Sequence, residues 1–413
     1  MSKALTSRTL AVSLFAVALL LALLPAQALA DGTATLRVTS DTTLTDDFSG
    51  NVVIAKDSVT LDCQGHSIVG NGNGRGVLVD KRSGVTVRNC DVSNFVTGFM
   101  VTSTSQSTFE NNNAHDNVLA NPNQTPGWIS GAGFWMQSSS GNTFRGNEAY
   151  DNTSDGFDAL NSPSNLFEGN NAHRNLAGFF VGGDRSTSNI LRDNTAASND
   201  AAGFYVVGDA PTLLVENRAT ANGRAGFIID GGSAGNQLER NVAADSEVGF
   251  VLTSNASGNR LADNQASSNS EWGFLLDFGA HDNVLSNNTA TGNFGGYAIA
   301  NGASSNELEE NVAEHNTGGF VLSGATDNVL RANAANENGD FGIVLRQSSN
   351  GNTVVANTAN SNGFIGIAAG EGSSFNTFDN NTALGNTTFD AAQQVSTTGN
   401  VWTNNTFGTT SGI

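Results

Sequence analysis

Two aspartates three residues apart, Asp155 and Asp158, are the side chains in this sequence best suited to acid–base work. Asp158 follows a Gly-Phe pair. The residues at the equivalent place elsewhere are Met100, Trp135, Phe180, Tyr205, Ile228, Val251, Leu275, Ala298, Val321, Val344 and Ala368, so Asp158 is the one charge in its column. Asp155 precedes Gly156 where other units carry mainly apolar or small residues. Carboxyl groups that exchange protons, set beside aromatic rings that stack on sugar faces, are the equipment of a carbohydrate site. Trp135, Phe180, Tyr205, Trp128 and Arg174 are the expected substrate-binding residues around the pair.

A second column adds His115, Tyr150 and His173, with Asp116, Asp151 and Arg174 as neighbours. All three are candidate proton-transfer groups with Asp155 and Asp158, and the whole set falls within residues 110–185. The same zone holds an insertion, residues 118–132, with Pro122, Pro126 and Trp128. In a repetitive chain such an insertion maps to a loop on one face, commonly the binding face.

These columns exist because the chain repeats itself. Gly followed by an apolar residue recurs from Gly76 to Gly366 at intervals of 22 to 25 residues, with one interval of 35. Asn147, Asn170, Asn194, Asn217, Asn241 and their successors form a second column, each followed two residues later by Ala. Asn142, Asn165, Asn189, Asn236, Asn259 and their successors form a third, interrupted at Pro211-Thr212. Each unit contains three short alternating segments separated by Asn and Gly, and no stretch after residue 30 shows helical periodicity. The expectation is an all-β, right-handed parallel β-helix: a solenoid of about 23 residues per coil, three short strands per coil and roughly sixteen coils. Asn columns at the corners would stack as hydrogen-bonded ladders, and Phe134, Phe157, Phe179, Phe204, Phe227, Phe250, Phe274 and Phe320 would stack inside. The predicted domain is single, residues 31–413, with caps at 31–55 and 395–413.

Cys63 and Cys90 lie 27 residues apart, about one coil. A disulfide between adjacent coils and two buried thiols both fit that spacing, because the registers of the two segments differ by one residue. With no CxxC and five His, no metal site is expected.

Composition narrows the partners. A net charge of −20 with three lysines, Lys3, Lys56 and Lys81, gives no footprint for nucleic acid and disfavours anionic membranes. Residues 1–30 read as a secretory signal: Lys3 and Arg8, an apolar run from Leu10 to Leu24, then Ala28-Leu29-Ala30. Cleavage near Ala30 would place the mature chain in the periplasm or outside the cell, with no membrane span after removal.

The stretch from Leu61 to Met100, containing LDCQGHSIVGNG and GVTVRNCDVSNFVTGF, resembles the opening of right-handed parallel β-helix proteins of the pectin-lyase-like superfamily, including the NosD type associated with copper-site maturation. Later repeats such as GNEAYDNTSDGFDAL and ENNNAHDN are similar to the β-helix modules of mannuronan epimerases. The resemblance covers nearly all of residues 50–405. It implies that Asp158, in Gly156-Phe157-Asp158, is the counterpart of a catalytic Asp. The family continues with Pro-His where this chain has Ala159-Leu160. A polyuronate approaching so acidic a chain would need basic residues or bridging calcium.

Three readings follow. The first is an exported carbohydrate-binding or polysaccharide-modifying protein working at residues 110–185, a lyase or epimerase if it is an enzyme. The second is a non-catalytic surface or scaffold protein whose outward apolar stripe, Ile228, Val251, Leu275, Val321 and Val344, holds a protein partner or a second copy. The third is a NosD-like accessory protein in copper-site maturation, resting on fold resemblance alone.

Overall fold

Residues 156–176 show how one coil is made. Phe157–Leu160 forms the strand of a first face, Leu166–Glu168 that of a second and Asn171–His173 that of a third. Alternation sends Phe157, Ala159, Phe167 and Ala172 inward, where all are buried, and turns Asp158, Leu160, Glu168 and His173 outward. Each strand pairs in parallel and in register with the coils before and after: Phe134 with Phe157 and Phe179, Phe144 with Phe167 and Leu191, Ala149 with Ala172 and Ala196. Gly156 also faces inward. A Cβ there would sit 2.8 Å from the carbonyl of Gly178 and 3.0 Å from the side chains of Ala172 and Asn175, which is why a Gly precedes the Phe in coil after coil.

The computed structural model describes residues 34–118, 131–208 and 211–413, and repeats this unit throughout them. Expectations placed on residues 1–30 and on Trp128 lie outside the described residues. The second face is a 16-stranded parallel sheet. The first and third faces join into one sheet of 28 strands, because Phe48–Ile54 bends round a corner, pairing Phe48 with Ile68 on the third face and Val52 with Val77 on the first. Residues 34–55, expected as a cap, already wind as a coil, with Ala34–Val38 pairing along Gly50–Ile54. At the other end Val401–Thr403, Thr406–Phe407 and Thr410–Ser411 make a last coil instead of a separate cap.

Aromatic rings fill the interior beside the first face. Phe99, Phe134, Phe157, Phe179, Phe204, Phe227, Phe250, Phe274, Tyr297 and Phe320 stack with centroids 4.5 to 4.8 Å apart. Tyr297 fits this apolar column because its hydroxyl donates to the Asn288 carbonyl at 2.7 Å. Burying each ring contributes roughly 1.5–3 kcal/mol.

Three asparagine ladders run inside the corners. Asn112, Asn147, Asn170, Asn194 and Asn217 begin one; Asn142, Asn165 and Asn189 begin another, broken at Thr212 and resumed at Asn236. The third, Asn117, Asn152, Asn175, Asn199 and Asn222, passes through Ser246 and resumes at Asn269. Asn147 shows the bonding: its Nδ2 donates to the Phe109 carbonyl at 2.9 Å and to Asn170 Oδ1 at 3.0 Å, while its Oδ1 accepts from the side chain and backbone N–H of Asn112. The left-handed turn is made by the residue just before the ladder Asn, such as Asp116, Asp151, Arg174 or Asp193, not by the ladder Asn itself. At the C-terminal end two ladders are closed off. Asp390 Oδ1 accepts from Asn386, its Oδ2 accepts from Gly408 and Thr409, and Gln393 Oε1 accepts from Asn400 and Trp402.

Cys63 and Cys90 are joined by a disulfide with Cα atoms 4.8 Å apart, both inside the coil. Strand register aligns Leu61 with Val87 and Asp62 with Arg88, one residue out for the cysteines. Asn89 takes up the difference by adopting a left-handed conformation, φ 54°. Cys90 then occupies the place of a ladder residue, its N–H donating to Asn112 Oδ1.

The ladders are predicted to carry the fold. Asn241→Ala removes bonds to Leu214, Asn264 and Asn217 at once and should cost about 3 kcal/mol in urea unfolding. Glu239→Ala, on the outer side of the same coil, should stay within about 0.5 kcal/mol of the parent.

Candidate functional site

The first face carries its outward residues in columns set by strand register. Met100, Trp135, Asp158, Phe180, Tyr205 and Ile228 follow one another on six successive coils. Asp155 lies one column over, on the same edge as Ala132 and Ala177. Its carbonyl accepts from the N–H of Gly133, and its Oδ1 accepts from the N–H of Ala177 at 3.2 Å. Trp135 is 9% exposed and packs with Met100 and Ala132. The Phe180 ring leans over Gly182, 2.4 Å from where a Cβ would be, and meets Tyr205 edge-on at 5.6 Å. The Tyr205 hydroxyl donates to Asp230 Oδ2 at 2.7 Å. The pair therefore sits between Trp135 on one side and Phe180 and Tyr205 on the other, as its residue types suggested.

What distinguishes Asp155 and Asp158 is the absence of compensation. Asp158 Oδ1 is closed off from solvent with no hydrogen-bond partner, and no ion pair reaches either carboxylate among the described residues. Burial without a countercharge pushes both carboxyls up, Asp155 to about 7 and Asp158 well above the carboxylate range, and the proximity of the two adds to the effect on Asp158. Near neutral pH the pair thus holds a proton, which equips it with a donor and an acceptor side by side.

The other column lies elsewhere. His115, Tyr150 and His173 project from the third face, in register with one another, and no interaction joins them to Asp155 or Asp158. Their rings stack in parallel at 4.7 and 5.2 Å, which turns edges instead of faces outward. The two imidazoles are engaged in hydrogen bonds. His115 bonds Asp91 at 3.1 Å and Asp116 at 2.8 Å, His173 bonds Glu148 at 2.9 Å, and Arg174 clasps Asp151 through two bonds of 2.7 Å while lying over the Tyr150 ring. Asp91, with Asp116 beside it, raises the His115 imidazole to about 9, so it is charged at neutral pH and holds no lone pair for a base. Arg174 likewise belongs to this network and not to the carboxylate pair. The sequence reading missed Asp91 and Glu148, whose signal was their place two residues before the column on the preceding coil.

The apolar stripe is continuous, with Ile228, Val251 and Leu275 packed along Ala225, Val248 and Trp272, and Val321 paired with Val344. It offers less surface than its outward direction implied. Leu275 is 6% and Val321 2% exposed, and Trp272 packs against the cluster that holds Leu275.

With the fold and this geometry in place, sequence comparison identifies the family. Its description, right-handed β-helix region, matches residues 75–243 and 252–383. The chain belongs to that family. No curated protein sequence shows significant similarity to this β-helix protein. Solved structures of similar fold include the catalytic unit of the α-1,3-glucanase of Streptomyces thermodiastaticus, at 13% identity over 80% of this chain and 64% of that one, TM-score 0.51. They also include PfbA, a surface adhesin of Streptococcus pneumoniae, at 14% identity over 78% and 84%, TM-score 0.49. The periplasmic alginate epimerase AlgG matches at 13% identity over 90% and 76%, TM-score 0.45. At these identities the likeness is one of fold.

The raised carboxyls make a prediction about stability. The folded β-helix prefers Asp155 protonated, with a value of about 7 against 3.8 for the free side chain. The pair's contribution is therefore complete below about pH 4 and is lost as pH rises through about 7. Asp155→Asn should match the parent in thermal unfolding at pH 4 and exceed it by a few degrees at pH 8. An equal or lower midpoint at pH 8 would mean that the carboxyls are not raised.

Proposed function

We propose that this protein binds or modifies a polysaccharide through the first face around Asp155 and Asp158, after export from the cell. One observation carries the reading: a half-buried carboxylate pair without countercharge, its Asp158 Oδ1 closed off from solvent and lacking any partner, set between Trp135 and Phe180. Uncompensated burial of two carboxyls costs stability and is retained where the groups meet a ligand. Sugar hydroxyls are suitable partners, since they donate to an ionised carboxylate and accept from a protonated one. A protonated carboxyl beside a second carboxyl also has the donor and acceptor that acid–base cleavage or epimerisation of a glycan requires. The glucanase of similar fold acts, by its name, on a polysaccharide; the same ligand class is assigned here from the chemistry of the pair and not from that likeness.

Asp155, Asp158, Trp135, Phe180 and Tyr205 form the working set in this reading. His115, Tyr150, His173 and Arg174 brace the third face. The scaffold reading draws on the continuity of the apolar row but finds little open area at Leu275 and Val321. The copper-maturation reading gains nothing from the side chains at this site.

The test is a panel of polysaccharides offered to the purified protein, followed by binding and by proton NMR of the sugars. Asp158→Asn keeps size and shape while removing the titrating group. It should lower binding or turnover of the responsive glycan by about tenfold to a hundredfold, with the unfolding transition retained. Equal behaviour of parent and variant on a bound glycan would contradict the reading.

A further inference from the structure

The first face has a charge pattern that selects among polysaccharides. Six successive strands make up the surface around the pair: Thr97–Thr102, Phe134–Gln137, Phe157–Leu160, Ala177–Gly182, Ala202–Val207 and Ala225–Asp230. None of them contains Lys or Arg. They carry Asp158 and Asp230, with Asp155 just before its strand. The nearest cation within a strand of this face is Arg75, in register with Thr97 and three coils from Asp155. At about 4.8 Å per coil that is about 14 Å, beyond the screening length of physiological salt.

Several arginines near these coils are paired on the other two faces. Arg88, Arg145 and Arg192 stand in one column of the second face, alternating with Asp62, Glu110 and Glu168, and each is paired within that column. Arg174 is held by Asp151 on the third face. Arg185, on the corner after Ala177–Gly182, and Arg224, just before Ala225–Asp230, lie outside the six strands and make no ion pair among the described residues. The inserted segment 119–130, read as sequence, contains no charged residue.

We propose that the ligand of this face is an uncharged polysaccharide. A polyuronate brings one carboxylate per sugar, and here the six strands would offer it Asp230 and a carboxyl pair that retains a proton, with no Lys or Arg among them to bind its charge. Neutral sugar hydroxyls need no such countercharge, and the half-buried rings of Phe180 and Tyr205 supply apolar contact that does not depend on charge. This inference rests on the carbohydrate reading above and sharpens it. It separates this chain from the alginate epimerase of similar fold, whose name states a charged substrate.

Affinity electrophoresis at 50 and 500 mM salt, with and without calcium, tests it using the full chain. The gels would contain a soluble α-glucan, a soluble β-glucan, a galactan, alginate, polygalacturonate or chitosan. The expected result is retardation by at least one neutral polymer, changing less than about twofold with salt or calcium, reduced about tenfold or more in Asp158→Asn, and none by alginate or polygalacturonate. Tightest binding to a uronate polymer, or salt-sensitive binding to chitosan, would overturn the neutral class; if Asp158→Asn still weakened that binding, the carbohydrate reading would stand. Failure of every polymer to bind would overturn both.

Discussion

The amide of a buried asparagine, shared among three coils, is the interaction on which the rest of this molecule depends. Each ladder residue gives one Nδ2 proton to a backbone carbonyl of the coil before and the other to the Oδ1 of the coil after. Its own Oδ1 takes the N–H groups of the preceding Asn. A corner that would otherwise bury unsatisfied backbone is thereby bonded, and adjacent coils are locked into register. Ala and Gly must line the same corners because an Asn side chain already fills them, and Phe stacks where the coil is widest. The left-handed residue before each ladder Asn, even when it is Asp or Arg, is held in that conformation by the bonding around it.

A scaffold so fully specified from inside leaves the outward positions free to vary, and the three faces use that freedom differently. The second face alternates Asp62, Arg88, Glu110, Arg145, Glu168 and Arg192, a zipper that neutralises itself. The third face stacks His115, Tyr150 and His173 and ties the two imidazoles to Asp91, Asp116 and Glu148. On the first face no cation pairs with Asp155 or Asp158 among the described residues. Charges that are answered within the fold stabilise it, whereas a half-buried pair left without a countercharge costs stability.

Much of this was legible in the sequence because the repeat turns position into geometry. The Phe column, two Asn columns and the outward order of Trp135, Asp158 and Phe180 follow from counting. The third ladder, through Asn117, Asn152 and Asn175, escaped because its members lie among other asparagines in turn-like contexts. The disulfide register was ambiguous until the left-handed turn at Asn89 was seen. Grouping Asp158 with His115, Tyr150 and His173 failed for a plain reason: proximity along the chain places residues on one coil but not on one face. The burial of Leu275 depends on how Trp272 packs against its cluster, which spacing does not encode.

The central claim is that Asp155 and Asp158 are carboxyls kept partly protonated by burial without countercharge. The most direct measurement is the pH titration of aspartate 13Cγ resonances in the full chain, with Asp155→Asn and Asp158→Asn used to assign the two signals. The account predicts two aspartates that titrate above the ordinary carboxylate range, Asp155 at about 7, and a downward move of Asp158 when Asp155 is replaced. Titration of both signals below pH 5, independent of each other, would contradict it.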